Sequence, residues 1–573
     1  PMSIMVGVGR GAQSGVLVKE AAALERLEKV DTLVVDKTGT LTENRMRVVL
    51  LQSLETAADL RDDEPVTDAG LLEILSTAAA ASKPAAFDPM ERAIHESLRA
   101  RVPATASSQL KQMKLIREYD LTPELPAVTH VWKRSGGGTY LVAVKGAPET
   151  VLNLCQIEAA ERARLLKQVA VHASHGLRLL AVATGQHVGD ALPASPGEFD
   201  LRLLGLIGLA DPLRPEVPGT LSVCHEAGIR VVMITGDHPG TALAIAAQAG
   251  LDTSAGSLTG TDIASLDEQQ LRERVLRTNV FSRMTPDQKL RLVQALQANG
   301  EVVAMTGDGV NDAPSLKAAN IGVAMGARGT DVAREAASIV LVNDAFGSLI
   351  AAIRLGRRVY DNIRNAMTFI VAVHIPIAGM GLLPVVFGWP LLFFPLHVLF
   401  LEFVIDPSCA FVFEADREAP DIMRRRPRRP NAPLFSRATL LRGVTLGIVI
   451  LATCMLVYGV ALQYLPDTMA RALAFIALVS ANLTLIFVTR SRSETFASVL
   501  ARQNRVFWWI VALAATALAL IMSNTSIASL FRFTTPPFAL MMMVSLAAMS
   551  VVLVSGLALR SRPSEHDCRT LVG

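Results

Sequence analysis

Five cysteines in 573 residues, Cys155, Cys224, Cys409, Cys454 and Cys568, form no CxxC pair. Their scatter excludes a disulfide framework and a zinc site built from paired thiolates, and fits thiols kept reduced. Excess charge is scarce as well. A formal net charge of +3 is too small in a chain of this size to point to nucleic acid, and no basic face interleaved with aromatics accompanies it. No GxxxxGK[ST] run occurs, so the chain has no P-loop, and "GVGRGA" near the start lacks the spacing of a dinucleotide fingerprint. The opening "PMSIMVGVGRGA" has no initiator Met and no charged segment before an apolar core, so it is not a signal peptide. It reads instead as the cytoplasmic end of a membrane helix, cut from something longer. Up to about residue 362 no uncharged apolar run reaches the ~18–20 residues needed to cross a bilayer.

Beyond that point such runs recur. Apolar residues make up 51% of the chain and charged residues 19%, a mixture that suits a soluble portion joined to a membrane portion. Six apolar stretches are expected to cross, at about 364–387, 391–413, 438–463, 470–489, 506–523 and 536–559, punctuated by Pro390, Pro395 and polar loops. The loops after the second and fourth, "REAPDIMRRRPRRP" and "RSRSETFASVLARQNR", and the tail from Arg560 are rich in arginine, while the alternate loops carry almost none. The positive-inside rule then puts the three basic segments and the large first half on the cytoplasmic side of a cell membrane. An even number of crossings makes this consistent.

In the first half, the run Thr32-Leu33-Val34-Val35 ends on Asp36 and a turn, "DKTGTLT". Strands buried on both faces read as such continuous apolar runs, and in open α/β sheets the chemistry lies just past their carboxyl ends. Residues from about 47 to 205 mix helices and strands as an inserted α/β module. From about 206, strands "LRLLGLIGLAD", "IRVVMITGD", "TNVFSRM" and "EVVAMTGDGVND" alternate with helices, which predicts a parallel sheet that resumes the one begun at Asp36.

Three strand ends therefore face one crevice: Asp36-Lys37-Thr38-Gly39-Thr40, Thr235-Gly236-Asp237 and Thr306-Gly307-Asp308-Gly309-Val310-Asn311-Asp312. A carboxylate can act as a covalent nucleophile toward phosphorus. A hard cation such as Mg2+ takes oxygen ligands and is held by one or two carboxylates with phosphate oxygens, so Asp36 and Asp308 can hold it with Asp312 nearby. Thr235, Gly236 and Lys289, the last in "TPDQKLRLV", offer hydroxyl, backbone and ammonium donors to phosphoryl oxygens.

These motifs, DKTGTLT, TGDHP and MTGDGVNDAP, resemble those of the P-type ATPases, cation pumps whose phosphorylation domain has a haloacid-dehalogenase-like fold. The resemblance covers essentially the whole chain. It implies a Rossmann-type α/β phosphorylation domain at 13–46 and 206–362, an inserted α/β nucleotide domain at 47–205, an all-α six-helix transmembrane domain at 363–560 and a tail at 561–573. It further implies ATP and Mg2+ as cofactors. Asp36 would be phosphorylated, with Lys37, Thr38 and Lys289 at the phosphate, Thr235, Gly236 and Asp237 beside them, and Mg2+ on Asp36, the Thr38 carbonyl and Asp308, completed by Asp312. In the inserted module, Lys145 and Gly146 of "KGAPE", Glu91 of "FDPMERAI" and Arg178 of "HGLRLLAVA" match the family's nucleotide site, and Tyr119 is the nearest candidate for its stacking aromatic.

No TGE motif of the family's actuator domain occurs here, so the actuator and first membrane helices are expected from a missing N-terminal part. The start resembles the heavy-metal class, but six helices after the phosphorylation domain belong with the calcium-pump-like class. Charged groups at membrane depth are costly and functional by default. Glu402 and Asp406 in "FLEFVIDPSC" share a helix face at i and i+4, and Pro407 frees the Phe403 carbonyl. Oxygen ligands of this kind favour Ca2+ or Mn2+, and by resemblance these two fall on the sixth-helix ion site, with His374 in the fifth helix and Asn482 in the eighth. Two other readings stay open, a membrane-anchored phosphatase of the same superfamily and a non-transporting regulatory fragment.

Overall fold

A computed structural model describes the chain except residues 1, 61–65, 84–87, 102–112, 123–124, 135–138, 175, 190, 408–410, 434, 491–503 and 560–573, and the side chains of 2–4, 134, 174 and 404–407. The expected tail at 561–573 and most of the basic loop after the fourth apolar stretch lie outside the described residues. The chain divides into two compact units, Asp31–Ile350 and Pro1–Val30 with Ala351–Gly573.

Within Asp31–Ile350, seven strands form a parallel sheet in the order Ile339–Leu341, Ile321–Met325, Val303–Gly307, Thr32–Asp36, Arg230–Ile234, Val280–Ser282, Ser257–Thr259. Thr32–Asp36 is central because it is apolar on both sides: Leu33, Val34 and Val35 are fully buried. Its neighbours on either side come from distant parts of the chain, so the strand order reverses around it. That is the switch point where open α/β sheets open a crevice.

The inserted module is a seven-stranded antiparallel sheet in the order Ala57–Asp59, Arg47–Ser53, Leu201–Ala210, Arg178–Val188, Thr139–Gly146, Ala127–Arg134, Met113–Tyr119. Helices Ala69–Ala80 and Pro89–Arg101 pack on one face through Leu71, Ile74, Leu75 and Ile94. Helices Pro148–Leu154 and Ala159–Ser174 cover the other face through Val151, Leu152 and Leu165. This corrects one expectation. "LRLLGLIGLAD" belongs to this antiparallel sheet, paired with Arg47–Ser53 and Arg178–Val188, and not to the parallel one. It is covered on both faces, so it has the unbroken apolar run that otherwise marks a parallel strand.

The second unit is helical. Among the described residues five helices are long and apolar enough to cross a membrane: Phe346–Phe387, Arg437–Tyr464, Asp467–Thr489, Arg505–Ser523 and Phe538–Ala558. Asp467–Thr489 is the centre of the bundle, with 83% of its most apolar window buried against 17–33% in the others. Of the expected crossing at 391–413, residues 408–410 lie outside the described residues. Its described residues form the helix Pro395–Pro407, 13 residues, and are helical again at Phe413–Ala415. Pro395 lacks an N–H and suits a first helical turn, so residues 391–394 stay outside the helix.

Candidate active site

The three expected strand ends meet at the switch point. Lys289, from the helix Pro286–Ala298, donates through Nζ to Asp36 Oδ2 at 2.7 Å and to Asp312 Oδ1 at 2.8 Å. The other Asp36 oxygen accepts from the Thr38 N–H at 3.2 Å, and the Asp36 N–H donates to Thr306 Oγ1 at 3.2 Å. Asp312 Oδ2 accepts from the N–H groups of Asp308 and Gly309 at 3.3 and 3.1 Å. Gly307 allows this approach, since a Cβ there would sit 2.6 Å from the Asp312 Cβ.

Two carboxylates, Asp36 and Asp312, share one ammonium here, and the charge of Asp308 acts on the same group. Burial pushes the Asp36 carboxyl above its ordinary range, only partly offset by Lys289. Asp308 is raised by burial and then by the charges of Asp36 and Asp312. Burial alone would lower Lys289, but the two carboxylates outweigh it and hold the ammonium charged. An added divalent cation would reverse the carboxyl shifts. The donor set fits Mg2+, whose usual site is one or two carboxylates with phosphate oxygens and water. Asp312 has both oxygens engaged, so it positions Lys289 and the 308–309 turn. Among the described residues no three His, Cys, Asp or Glu side chains form a ready-made metal cage.

Lys37 points elsewhere, donating to Asp237 Oδ2 at 2.7 Å, while Thr235 Oγ1 accepts from the Asp237 N–H at 3.1 Å. Lys37, Gly236 and Asp237 line a cleft of about 700 Å³ that continues to Arg178, His238 and Arg283. The parallel-sheet module and the inserted module thus contribute to one cleft, and Arg178 falls on it.

Lys145 and Glu91 form a separate group. Lys145 Nζ donates to Glu91 Oε1 at 2.6 Å and to Ser82 Oγ at 2.5 Å, and burial lowers its pKa against the pull of Glu91. Gly146 is there for space: a Cβ would lie 2.6 Å from the Ala127 Cα. Tyr119 is not brought to this group. A β-bulge between Leu115 and Arg117 reverses the side-chain alternation of its strand, so Leu115 packs on the face of Ala143 while Tyr119 packs with Phe199 on the other. Its hydroxyl donates to the Pro193 carbonyl at 2.5 Å.

Several residues at the site had no signal in the sequence. Gly39 has φ +74°, and its carbonyl accepts from Arg214 at 3.0 Å and from Arg328, whose guanidinium fills the space a Cβ would need. Arg328 is anchored by Asp344 at 2.9 Å. Asp211 accepts from Thr42 Oγ1 at 2.5 Å and from the Arg45 N–H at 3.1 Å, tying together the two chain segments that enter and leave the inserted module. Arg283 reaches the cleft from φ +51°. All are distant in sequence from the groups they touch.

In the helical unit Asn482 is 2% exposed, and neither amide atom has a hydrogen-bond partner among the described residues. His374 is exposed and donates through Nδ1 to the Ile370 carbonyl at 2.8 Å. Glu402 is half-buried, and the Asp406 side chain lies outside the described residues.

One unit thus holds a Rossmann-type parallel sheet with acidic strand ends at its switch point and an inserted α/β module, and the other holds apolar helices long enough to cross a membrane. The haloacid dehalogenase-like hydrolase family matches residues 30–320, and the cation transporting ATPase C-terminus matches residues 390–560. A calcium-transporting ATPase 1 of Bacillus cereus is 31% identical over 87% of this chain and 59% of its own length. A calcium-transporting ATPase of Bacillus subtilis is 32% identical over 86% and 60%. A probable cation-transporting ATPase F of Mycobacterium tuberculosis is 36% identical over 77% and 53%. The chain belongs to the haloacid dehalogenase-like hydrolases, in their cation-transporting P-type ATPase branch. It spans about three fifths of the Bacillus relatives it matches.

Proposed function

We propose that this chain carries the phosphoryl-transfer machinery and part of the ion path of an ATP-driven cation pump. The observation behind this reading is the Asp36–Lys289–Asp312 arrangement with Asp308 at the switch point. An Asp36 carboxylate oxygen attacks the γ-phosphorus of ATP, an oxygen–phosphorus bond forms, the bond to the β-phosphate oxygen breaks, and ADP leaves. Lys289 favours the ionised form of Asp36 against the effect of burial and neutralises phosphoryl charge. Asp312 holds Lys289 and the 308–309 turn in place, and the Lys37, Arg178 and Arg283 cations favour polyphosphate in the cleft. Mg2+, held by Asp36, Asp308 and the Thr38 carbonyl, would supply charge neutralisation on the transferring group. The base end of ATP is assigned to Lys145 and Glu91. The large units before residue 363 face the cytoplasm of the cell membrane.

The transported ion is assigned to Glu402, Asp406 and Asn482, with His374 beside them, and Ca2+ is favoured over Mn2+ because the ligands are mostly oxygen. The relatives named calcium-transporting support this choice. The test is transfer of label from γ-labelled ATP. Wild type is expected to take up hydroxylamine-sensitive label, and Asp36→Asn to lose it below about a hundredth while still binding nucleotide. Label that persists in Asp36→Asn overturns the assignment. Repeating the assay in the assembled pump with Ca2+, Mn2+, Mg2+, Zn2+ and K+, and with Glu402→Gln, names the ion.

A further inference from the structure

The loop that leads into the Arg437–Tyr464 helix carries two kinds of arginine. Arg425 donates to Asp361 at 2.9 Å and to Asp421 at 2.6 Å. Arg428 donates to Glu28 at 2.7 Å and to the carbonyls of Ala432 and Pro433, with its guanidinium 4.2 Å from the centre of the Tyr360 ring. Arg357 holds the loop from the other side through the carbonyls of Ile422 and Arg425, at 3.0 and 2.8 Å. These contacts pin the loop. Arg426 and Arg429 alternate with the pinned residues and stand exposed. The nearby acidic groups are already matched, Asp421 by Arg425 and Glu418 by Arg354.

The helix then opens on exposed Arg437. Arg437, Leu440, Leu441, Val444 and Ile448 fall at i, i+3, i+4, i+7 and i+11, one helical face. The four apolar members are 36–67% exposed. Arg442, on another face of the same helix, is buried and donates to the Val488 carbonyl at 3.4 Å. Arg437 therefore heads an uncovered apolar stripe on a helix long enough to cross a membrane. Acyl chains would lie along such a stripe, with headgroup phosphates at its charged end.

We propose that Arg426, Arg429 and Arg437 form a binding surface for an anionic phospholipid, its headgroup on the three guanidiniums and its acyl chain on the Leu440–Ile448 stripe. Guanidinium groups pair with phosphate through parallel N–H bonds. Because the loop is pinned before any lipid arrives, little ordering is lost on binding. This inference uses only the helical unit and does not depend on the assignment of Asp36.

The test titrates the purified chain in neutral detergent with fluorescent phosphatidylglycerol and phosphatidylcholine, with folding followed by helical circular dichroism. Wild type is expected to bind phosphatidylglycerol more tightly than phosphatidylcholine. The variant Arg426→Gln/Arg429→Gln/Arg437→Gln should weaken phosphatidylglycerol binding about tenfold or more and leave phosphatidylcholine unchanged. A charge-matched variant remote from the loop, Lys114→Gln/Lys167→Gln/Arg277→Gln, should bind as wild type does. Equal lipid binding by both triple variants overturns the proposal. Glycerol phosphate that competes as well as the intact lipid also overturns it, since the surface would then be a soluble-phosphate site without the apolar stripe.

Discussion

Charged groups buried at the end of the parallel sheet are matched, whereas Asn482 inside the helical bundle is not. Asp36 and Asp312 share one ammonium at 2.7 and 2.8 Å, and Asp237 has its own at 2.7 Å. Asn482 sits in the most buried helix of the bundle with both amide atoms unbonded among the described residues. A buried polar atom without a partner costs free energy, so such groups persist where something other than stability selects them. The sheet-end site is pre-organised before substrate arrives. Asn482 keeps both amide atoms open among the described residues.

The largest effect expected from breaking this comparison is at Lys289. Lys289→Gln keeps length and a donor but removes the charge shared by Asp36 and Asp312, so phosphorylation by ATP should fall about 10²–10³-fold with nucleotide affinity retained. A fall of only a few-fold would mean the site does not rely on that ammonium. Lys145 comes next. Paired with Glu91→Gln so that no lone buried charge remains, Lys145→Gln should weaken ATP binding about tenfold yet spare phosphorylation by acetyl phosphate. Equal loss with both donors would move Lys145 into the chemistry.

Asn482→Leu sharpens the other side of the comparison. If the amide is unsatisfied, its removal should be neutral or stabilising by about 1–3 kcal/mol in thermal unfolding, while cation stimulation of the assembled pump is lost. A destabilised variant would show that Asn482 has a structural partner after all. The smallest effect is expected at Glu28, whose carboxyl is raised to about 7 by burial despite Arg428. The fold holds this proton more tightly than the unfolded chain does. The stability it contributes is therefore present below about pH 4.5 and lost as pH rises toward 7. Glu28→Gln should flatten that slope, read as the unfolding temperature against pH.

Much of the active site was legible because its chemistry is local in sequence. An apolar strand that ends on Asp-Lys-Thr-Gly, or on Thr-Gly-Asp-Gly, carries both its burial and its reactive end within a few residues. The Lys145–Glu91 pair was legible only through resemblance, since 54 residues separate the partners. The start of the crossing expected at 391–413 was not legible, because the apolar residues before Pro395 have the same composition as the helix that begins there.

By itself the sequence determined which segments are strands with acidic ends and where the apolar helices lie, since strand burial, helix length and charge placement are properties of short windows. Tertiary structure decided the rest. It placed Leu201–Ala210 in the antiparallel sheet, turned Tyr119 to the far face through a one-residue bulge, and brought Arg328, Arg214 and Gly39 together from opposite ends of the unit. The physical reason is common to all three. Which face a side chain takes, and which distant carbonyl accepts its proton, depends on strand register and chain crossover, and neither leaves a mark on the residues that obey it.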